Sequence, residues 1–252
     1  MHRVKLTVLA LTASLIFVSS SFAESEEPLD KKPQDELAAQ RQNESGAKAA
    51  LAKEGLSEQE YGEILNYYYK NPQPDKLISA LKVTLSLEQF LRDTSHSYPL
   101  AHLFATVAHS DPVFLKNLIS MEENYSGLQK DFLQHIINEA KDFKSPEPNS
   151  PAALDYLWTE FFVTGKEEPV KKIISALDFK MPENDPIYKD VDPGLLGAYK
   201  EADTALINGA ANWSLRSNAK QHDRVYEIIK QEADSATGTT KEKLNQILAE
   251  VK

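Results

Sequence analysis

Apolar residues recur every three or four positions along most of the chain after residue 57. In the clearest segment, Leu128, Phe132, Leu133 and Ile136 fall on one face of a helix. No segment convincingly alternates apolar and polar residues with the period of two that a half-buried strand requires. The pattern therefore predicts an all-α protein with about eleven helices joined by short polar turns.

Helix start signals divide this pattern into elements. Ser57-x-x-Glu60 has the spacing of a capping box, and Asp111-Pro112 pairs an N-cap residue with a proline at the first helical position. Ser86-x-x-Gln89 predicts the start of another short helix, whereas the segment Thr94–Pro99 is predicted to be a turn. Asp192 with the proline that follows it is predicted to begin the longest helix.

A helical hairpin is repeated in diverged form. The segment 156–177 contains an aromatic-rich helix, a glycine break and a second helix with an apolar pair at Ile173. Similar pairs begin at Leu77, Leu118 and Ile228, so the four pairs lie 41, 55 and 55 residues apart. We expect these residues to seed hairpins that stack side by side as an irregular α-solenoid-like array.

In architecture the predicted hairpins resemble tetratricopeptide-type repeats, which also combine short helices with small and aromatic positions. The resemblance does not extend to a sequence motif. The period of about 34 residues is not kept, and the Trp-Leu-Gly-Tyr-Ala-Phe-Pro phrase is absent at fixed spacing. No residue role is therefore taken from that family.

The first 23 residues have the pattern of a signal peptide. Arg3 and Lys5 precede an apolar run from Leu6 to Val18, and small residues ending at Ala23 supply a cleavage site. The run is too short to cross a bilayer, which needs about 20 residues. We expect an exported, periplasmic or secreted protein without a transmembrane segment. The complete lack of cysteine excludes a disulfide framework and favours a bacterial periplasm.

Composition divides the rest of the chain. Residues 24–55 form an acidic segment that is predicted to be weakly ordered, and residues 56–252 form the helical-repeat domain. Within this domain the halves 56–143 and 150–252 are joined by a proline-rich linker, KSPEPN. The formal charge of −10 argues against nucleic acid as a partner, because nucleic acids need clustered Lys and Arg.

Exposed aromatic side chains are the best candidates for a protein interface, since such residues dominate interface energetics. The candidates are Tyr67, Tyr68, Tyr69, Trp158 and Trp213. Three consecutive tyrosines cannot all point inward from one helix, so at least one of them should be partly exposed. Most of the other aromatic residues are expected in the core between hairpins.

Signals for metal binding or catalysis are weak. Asp190, Asp192 and Glu201 stand at positions 1, 3 and 12 of an EF-hand-like calcium loop, but position 6 is Leu195 instead of glycine. Ser79-x-x-Lys82 matches four residues of the serine penicillin-binding enzymes, without their Lys-Thr-Gly motif. The other polar residues of note are histidines at helix ends, predicted to bond free carbonyls: His102, His109 and His222.

These observations favour binding over catalysis and indicate no cofactor. We interpret the chain as an exported helical-repeat scaffold that binds a protein or peptide partner and is not an enzyme. The alternative is a periplasmic protein that binds a small ligand or calcium with the loop 178–192, because long loops are often functional.

Overall fold

The computed structural model describes residues 45–251, in which helices, turns and irregular segments occur but no strand. The all-α prediction is confirmed. The predicted signal peptide, residues 1–23, and the first part of the acidic segment, residues 24–44, lie outside the described residues. Within the described range, no helix has both the length and the apolar character needed to span a membrane.

Two compact units divide the described chain between Lys144 and Ser145, with the short segment Phe162–Gly165 belonging to the first unit. The first unit contains seven of the helices in the described range: α1 (45–53), α2 (Glu58–Asn66), α3 (Pro74–Leu85), α4 (Glu88–Arg92), α5 (Thr94–Ser110), α6 (Pro112–Glu122) and α7 (Gly127–Lys141). Five more begin in the second: α8 (Pro151–Thr164), α9 (Glu167–Ser175), α10 (Leu196–Gln221), α11 (Asp223–Ser235) and α12 (Gly238–Val251). Single 3₁₀ turns lie at Tyr68–Lys70, Ala176–Asp178 and Pro186–Tyr188.

Two of the predicted helix starts are observed as hydrogen bonds. At the start of α2 the Glu60 N–H donates to Ser57 Oγ at 3.1 Å, and the Ser57 N–H donates to Glu60 Oε2 at 2.9 Å. At the start of α6, Asp111 Oδ1 accepts from the N–H groups of Val113 and Phe114 at 2.9 and 3.1 Å. These bonds satisfy amide groups that have no partner inside a first helical turn.

Three predicted boundaries are wrong. Ser86 does not start α4, because its hydroxyl donates backward to the Val83 carbonyl at 2.6 Å. The segment Thr94–Pro99 is the first part of α5, where Pro99 removes only one helical bond and is itself buried. The longest helix begins at Leu196, since Asp192 uses its carboxylate to accept the Gly194 N–H in a turn.

The four residues that mark the repeated apolar pairs all lie in the core. Leu77, Leu118 and Ile173 are fully buried, and Ile228 is almost fully buried. The residue after each marker behaves differently in the two halves. Ile78 is half-buried and Ile119 is 40% exposed, whereas both second members in the second unit are buried.

Residues 45–53 form helix α1, which packs onto the first unit. Ala47, Ala50 and Leu51 lie on one face of this helix and join the core cluster. This part of the acidic segment is therefore ordered, unlike the prediction for residues 24–55. The reason is local: three apolar residues at i, i+3 and i+4 form a short apolar stripe that can be buried.

Charged pairs join two helices of the second unit. Arg224 of α11 lies 3.1 Å from Glu167 of α9, and Lys171 of α9 lies 3.2 Å from Glu232 of α11. All four side chains are substantially exposed, so each pair adds little stability. Burial of Val170, Ile173 and Ile229 holds this unit together instead.

Candidate functional site

The three consecutive tyrosines have different environments. Tyr67 follows the last residue of α2, and Tyr68 begins the 3₁₀ turn Tyr68–Lys70. Tyr68 is buried, and its removal from water raises the pKa of its hydroxyl to about 12. Tyr67 and Tyr69 are half-buried. Only these two rings therefore retain surface that another molecule can reach.

Tyr67 lines a pocket of about 370 Å³ on the first unit, which we call the Tyr67 pocket. The pocket is formed by α2, the 3₁₀ turn and the start of α3. Its lining combines this ring with acidic, basic, amide and apolar side chains, among them Glu60, Glu63, Lys70, Asn71, Gln73 and Lys76.

Both signs of charge are present around the pocket. The Lys70 ammonium lies 4.7 Å from the centroid of the Tyr67 ring, a cation–π arrangement. Lys76 pairs with Glu60 at 3.6 Å, and hydrogen bonds from Ser57 hold the pKa of the Glu60 carboxyl below its usual range. Among the described residues no carboxylate pairs with Lys70.

Tyr69 performs a packing role next to the pocket. A Cβ placed on Gly165 would lie 2.7 Å from Tyr69 Cδ2, so the ring covers this glycine directly. Gly165 also has a φ of 61°, a conformation that favours glycine. The ring of Tyr69 thus closes the helix end at Gly165 within the first unit.

The two tryptophans differ in the same way as the tyrosines. Trp158 is 1% exposed and meets Phe161 edge to face, with ring centroids 6.1 Å apart. Trp213 is 37% exposed on α10. Of the two, only Trp213 presents a surface to a partner in this structure.

Asp190, Asp192 and Glu201 do not come together as a cation site. Within residues 45–251, no three His, Cys, Asp or Glu side chains are grouped closely enough to hold a metal ion. Asp192 Oδ1 instead accepts the Gly194 N–H at 2.7 Å, which makes it a turn residue. Calcium binding at the loop 178–192 stays a hypothesis.

Melting in the presence and absence of calcium tests this hypothesis. We expect the melting temperature to be the same in millimolar calcium and after chelation, because the three acidic side chains are not grouped as a cation site. A cation that binds only the folded chain would raise the melting temperature. The Asp190→Asn and Asp192→Asn variants serve as controls for any ionic effect. A calcium-dependent rise that both substitutions abolish would establish the loop as a cation site.

Ser79 and Lys82 line an open groove of about 450 Å³ between α3 and α6. Ser120 of α6 faces the same groove, so the segments that follow the Leu77 and Leu118 markers lie together here. Lys82 lies 3.6 Å from Glu54 in an ion pair. The other residues that line the groove are polar or acidic apart from Ile78 and Met121.

A histidine–carboxylate cluster joins α5 to α7, and the sequence pattern did not reveal it. His102 Nδ1 donates to Glu139 Oε1 at 2.7 Å, and His135 Nε2 lies 3.6 Å from Glu139 Oε2. Tyr98 stacks on the His135 ring, with centroids 4.1 Å apart. His102 is almost fully buried, so this bond replaces water for a polar group in the core.

His109 bonds a carbonyl at a helix end, as predicted, but the helix is α7 and not its own. Its Nδ1 donates to the carbonyl of Ala140 at 3.1 Å, in the last turn of α7 instead of its own helix. Its ring also stacks on Phe143, which the ring of His102 contacts as well. His102 and His109 therefore join α5 to α7, and only the helical periodicity of α5 and α7 hints at their meeting.

Comparisons with protein-family models, with curated proteins and with solved structures gave no significant match to this chain.

Proposed function

We propose that this protein is an exported helical-repeat scaffold that binds a segment of another protein through the Tyr67 pocket. The observation that carries the proposal is the pocket itself: a half-buried tyrosine ring with a cation over it, in a unit built from helices. Aromatic side chains with a polar tip are the residues most often responsible for binding energy in protein interfaces.

The chemistry of the pocket suits a peptide segment. A volume of about 370 Å³ is at the small end of ligand pockets, which fits one or two side chains of a partner. Asn71 and Gln73 supply amide groups that can bond a peptide backbone. Lys70 and Glu63 add charges of opposite sign, so a segment with both an acidic and a basic residue is favoured.

The array and the export belong to the same proposal. Markers at Leu77, Leu118, Ile173 and Ile228 are consistent with diverged hairpins, each burying one helix against its neighbours. Stacked hairpins of this kind present long surfaces to partners. The basic, apolar and small-residue pattern of residues 1–23 supports export.

Peptides that bind the exported chain can be selected from a random displayed library, and their affinities test the Tyr67 pocket. We expect selected peptides to bind the Tyr67→Ala variant about 10- to 100-fold more weakly, because a central aromatic contact contributes about 2 kcal/mol or more. The measurement is the dissociation constant by fluorescence titration. Tyr98→Ala, which removes an exposed ring of the same unit away from the pocket, is the control and should bind normally.

A photo-crosslinker tests where the natural partner binds. Benzoylphenylalanine introduced at position 67 should form a covalent adduct in an envelope extract, and the same group at position 98 should not. Peptides that bind Tyr67→Ala as tightly as the unmodified chain, together with equal adducts from both positions, would place recognition elsewhere.

A further inference from the structure

Helix α10 carries apolar residues on two faces. One face is buried in the second unit and includes Ile207, Ala211 and Leu215. The other face is an outer stripe of five helical residues, continued by the N-cap residue Leu195, and we call these six residues the outer seam: Leu195, Tyr199, Ala202, Leu206, Gly209 and Trp213. Its four large members are 54%, 53%, 43% and 37% exposed in chain order.

The spacing of the outer seam is that of a coiled coil. Its positions follow one another at intervals of four, three, four, three and four residues. This is the heptad pattern by which one helix presents a continuous apolar edge to another helix. The seam extends for roughly 27 Å along the helix at 1.5 Å per residue. An exposed apolar edge of this length in an acidic chain indicates a partner helix.

The order of large and small residues identifies the partner as a second copy. If two α10 helices pair antiparallel about a two-fold axis beside residue 204, Tyr199 meets Gly209 of the other copy and Ala202 meets Leu206. Leu195 then meets Trp213 at each end. Every large side chain at the centre faces a small one, which fills the layers evenly.

A parallel pair would not pack as well. Each residue would then face its own copy, so two Tyr199 rings would meet in one layer while two Gly209 residues left another layer empty. Overpacked and empty layers both destabilise a core. The alternation of large and small residues therefore selects the antiparallel arrangement.

Charges at the ends of the seam agree with this register. Asp192 lies in the turn before α10, at the end of the seam that Arg216 of the other copy would approach. Arg216 is half-exposed and already lies 2.8 Å from Glu250, so the contact would extend an existing ion pair. Near the axis the two Asp203 carboxylates approach each other, each already accepting a hydrogen bond from Tyr188 at 2.5 Å. Attraction between opposite charges at the two ends therefore opposes the repulsion between the two carboxylates at the centre.

We infer that this protein forms a homodimer in which the outer seams of two α10 helices pair antiparallel. The interface lies on the second unit and is independent of the Tyr67 pocket, which lies on the first. Dimerisation presents two copies of each binding surface, which raises the avidity for a partner that carries repeated segments.

Sedimentation equilibrium of the full exported chain tests the dimer. We expect a concentration-dependent dimer, and the Leu206→Glu variant should raise its dissociation constant by about 100-fold, because two apolar contacts are lost at once. Gln231→Glu adds the same charge at an exposed position of α11 and should leave the dimer intact. A wild-type chain that stays monomeric at its highest soluble concentration would overturn the inference.

Two helical glycines of α10 test the register. A Cβ atom added at Gly209 or at Gly197 would meet no neighbouring atom within 4 Å, so leucine fits at both sites in the isolated chain. Gly209→Leu should weaken the dimer at least about tenfold by meeting Tyr199 of the other copy. Gly197→Leu, which lies off the seam, should not.

Exchanging the large and the small residue of one layer completes the test. The double variant Tyr199→Ala with Gly209→Leu restores one large and one small residue in each layer, so the dimer should recover most of its affinity. Circular dichroism confirms that each variant is folded. If the double variant is as weak as Gly209→Leu alone, the antiparallel register is wrong.

Discussion

Replacing Trp158 by alanine should lower the free energy of unfolding by about 3–5 kcal/mol, the cost of deleting a large aromatic side chain from a core. Trp158 is 1% exposed and packs edge to face on Phe161, whose ring in turn meets His222 at 5.7 Å. The cavity left by the indole would therefore remove the packing that supports Phe161, the residue that joins α8 to the end of α10. The measurement is urea unfolding followed by far-ultraviolet circular dichroism.

The other tryptophan is the matched control. Trp213→Ala removes the same side chain from a site that is 37% exposed, so its cost should stay under about 1 kcal/mol when the chain is kept monomeric by dilution. The two single-tryptophan proteins should also differ in fluorescence, with Trp158 emitting at shorter wavelength because its indole is shielded from water. Equal losses from both substitutions would mean that Trp158 is not part of the core.

Gly165→Ala should destabilise the first unit by about 2–5 kcal/mol, for two separate reasons. The φ of 61° costs a residue with a Cβ about 1–2 kcal/mol. The added methyl group would also lie 2.7 Å from Tyr69 Cδ2, closer than a van der Waals contact allows. Because the ring must move away, overpacking adds about 1–3 kcal/mol. Thermal and urea unfolding measure the total.

Gly55→Ala separates the two causes. Gly55 has a φ of 68° in the same unit, but nothing lies within 4 Å of its Cβ position, so alanine should cost only the conformational part. Tyr69→Ala provides a second separation, since it removes the clash and leaves the backbone strain in a double-mutant cycle. The packing argument fails if Gly165→Ala costs no more than Gly55→Ala.

Local sequence signals were reliable where a side chain acts on its own helix. Ser57 with Glu60, and Asp111, satisfy the first amides of α2 and α6 as their spacing predicted. Local sequence signals failed where contacts between residues far apart in the chain decided the structure. Pro99 was predicted to end a turn, yet it lies inside α5 because burial of that face outweighs the loss of one backbone bond.

The candidate sites show the same division. The expectation that three adjacent tyrosines cannot all be buried assumed a single helix. The three residues lie instead at the end of α2 and in a 3₁₀ turn, where Tyr67 and Tyr69 remain half-exposed. The pocket under Lys70 could not be predicted, because it depends on how the 3₁₀ turn places Tyr67 against α3. The heptad spacing of the outer seam is legible in the sequence, but its exposure is not.

Helix periodicity and capping chemistry, which act over three or four residues, determined from the chain alone that this protein is helical and where α2 and α6 begin. They also placed Leu77, Leu118, Ile173 and Ile228 in the core. Only the tertiary structure decided that Trp158 is buried while Trp213 is exposed, and that His102 meets Glu139. The physical reason is that burial is a property of neighbours far away in the chain: the same aromatic residue on the same kind of helix is core or surface according to what packs against it.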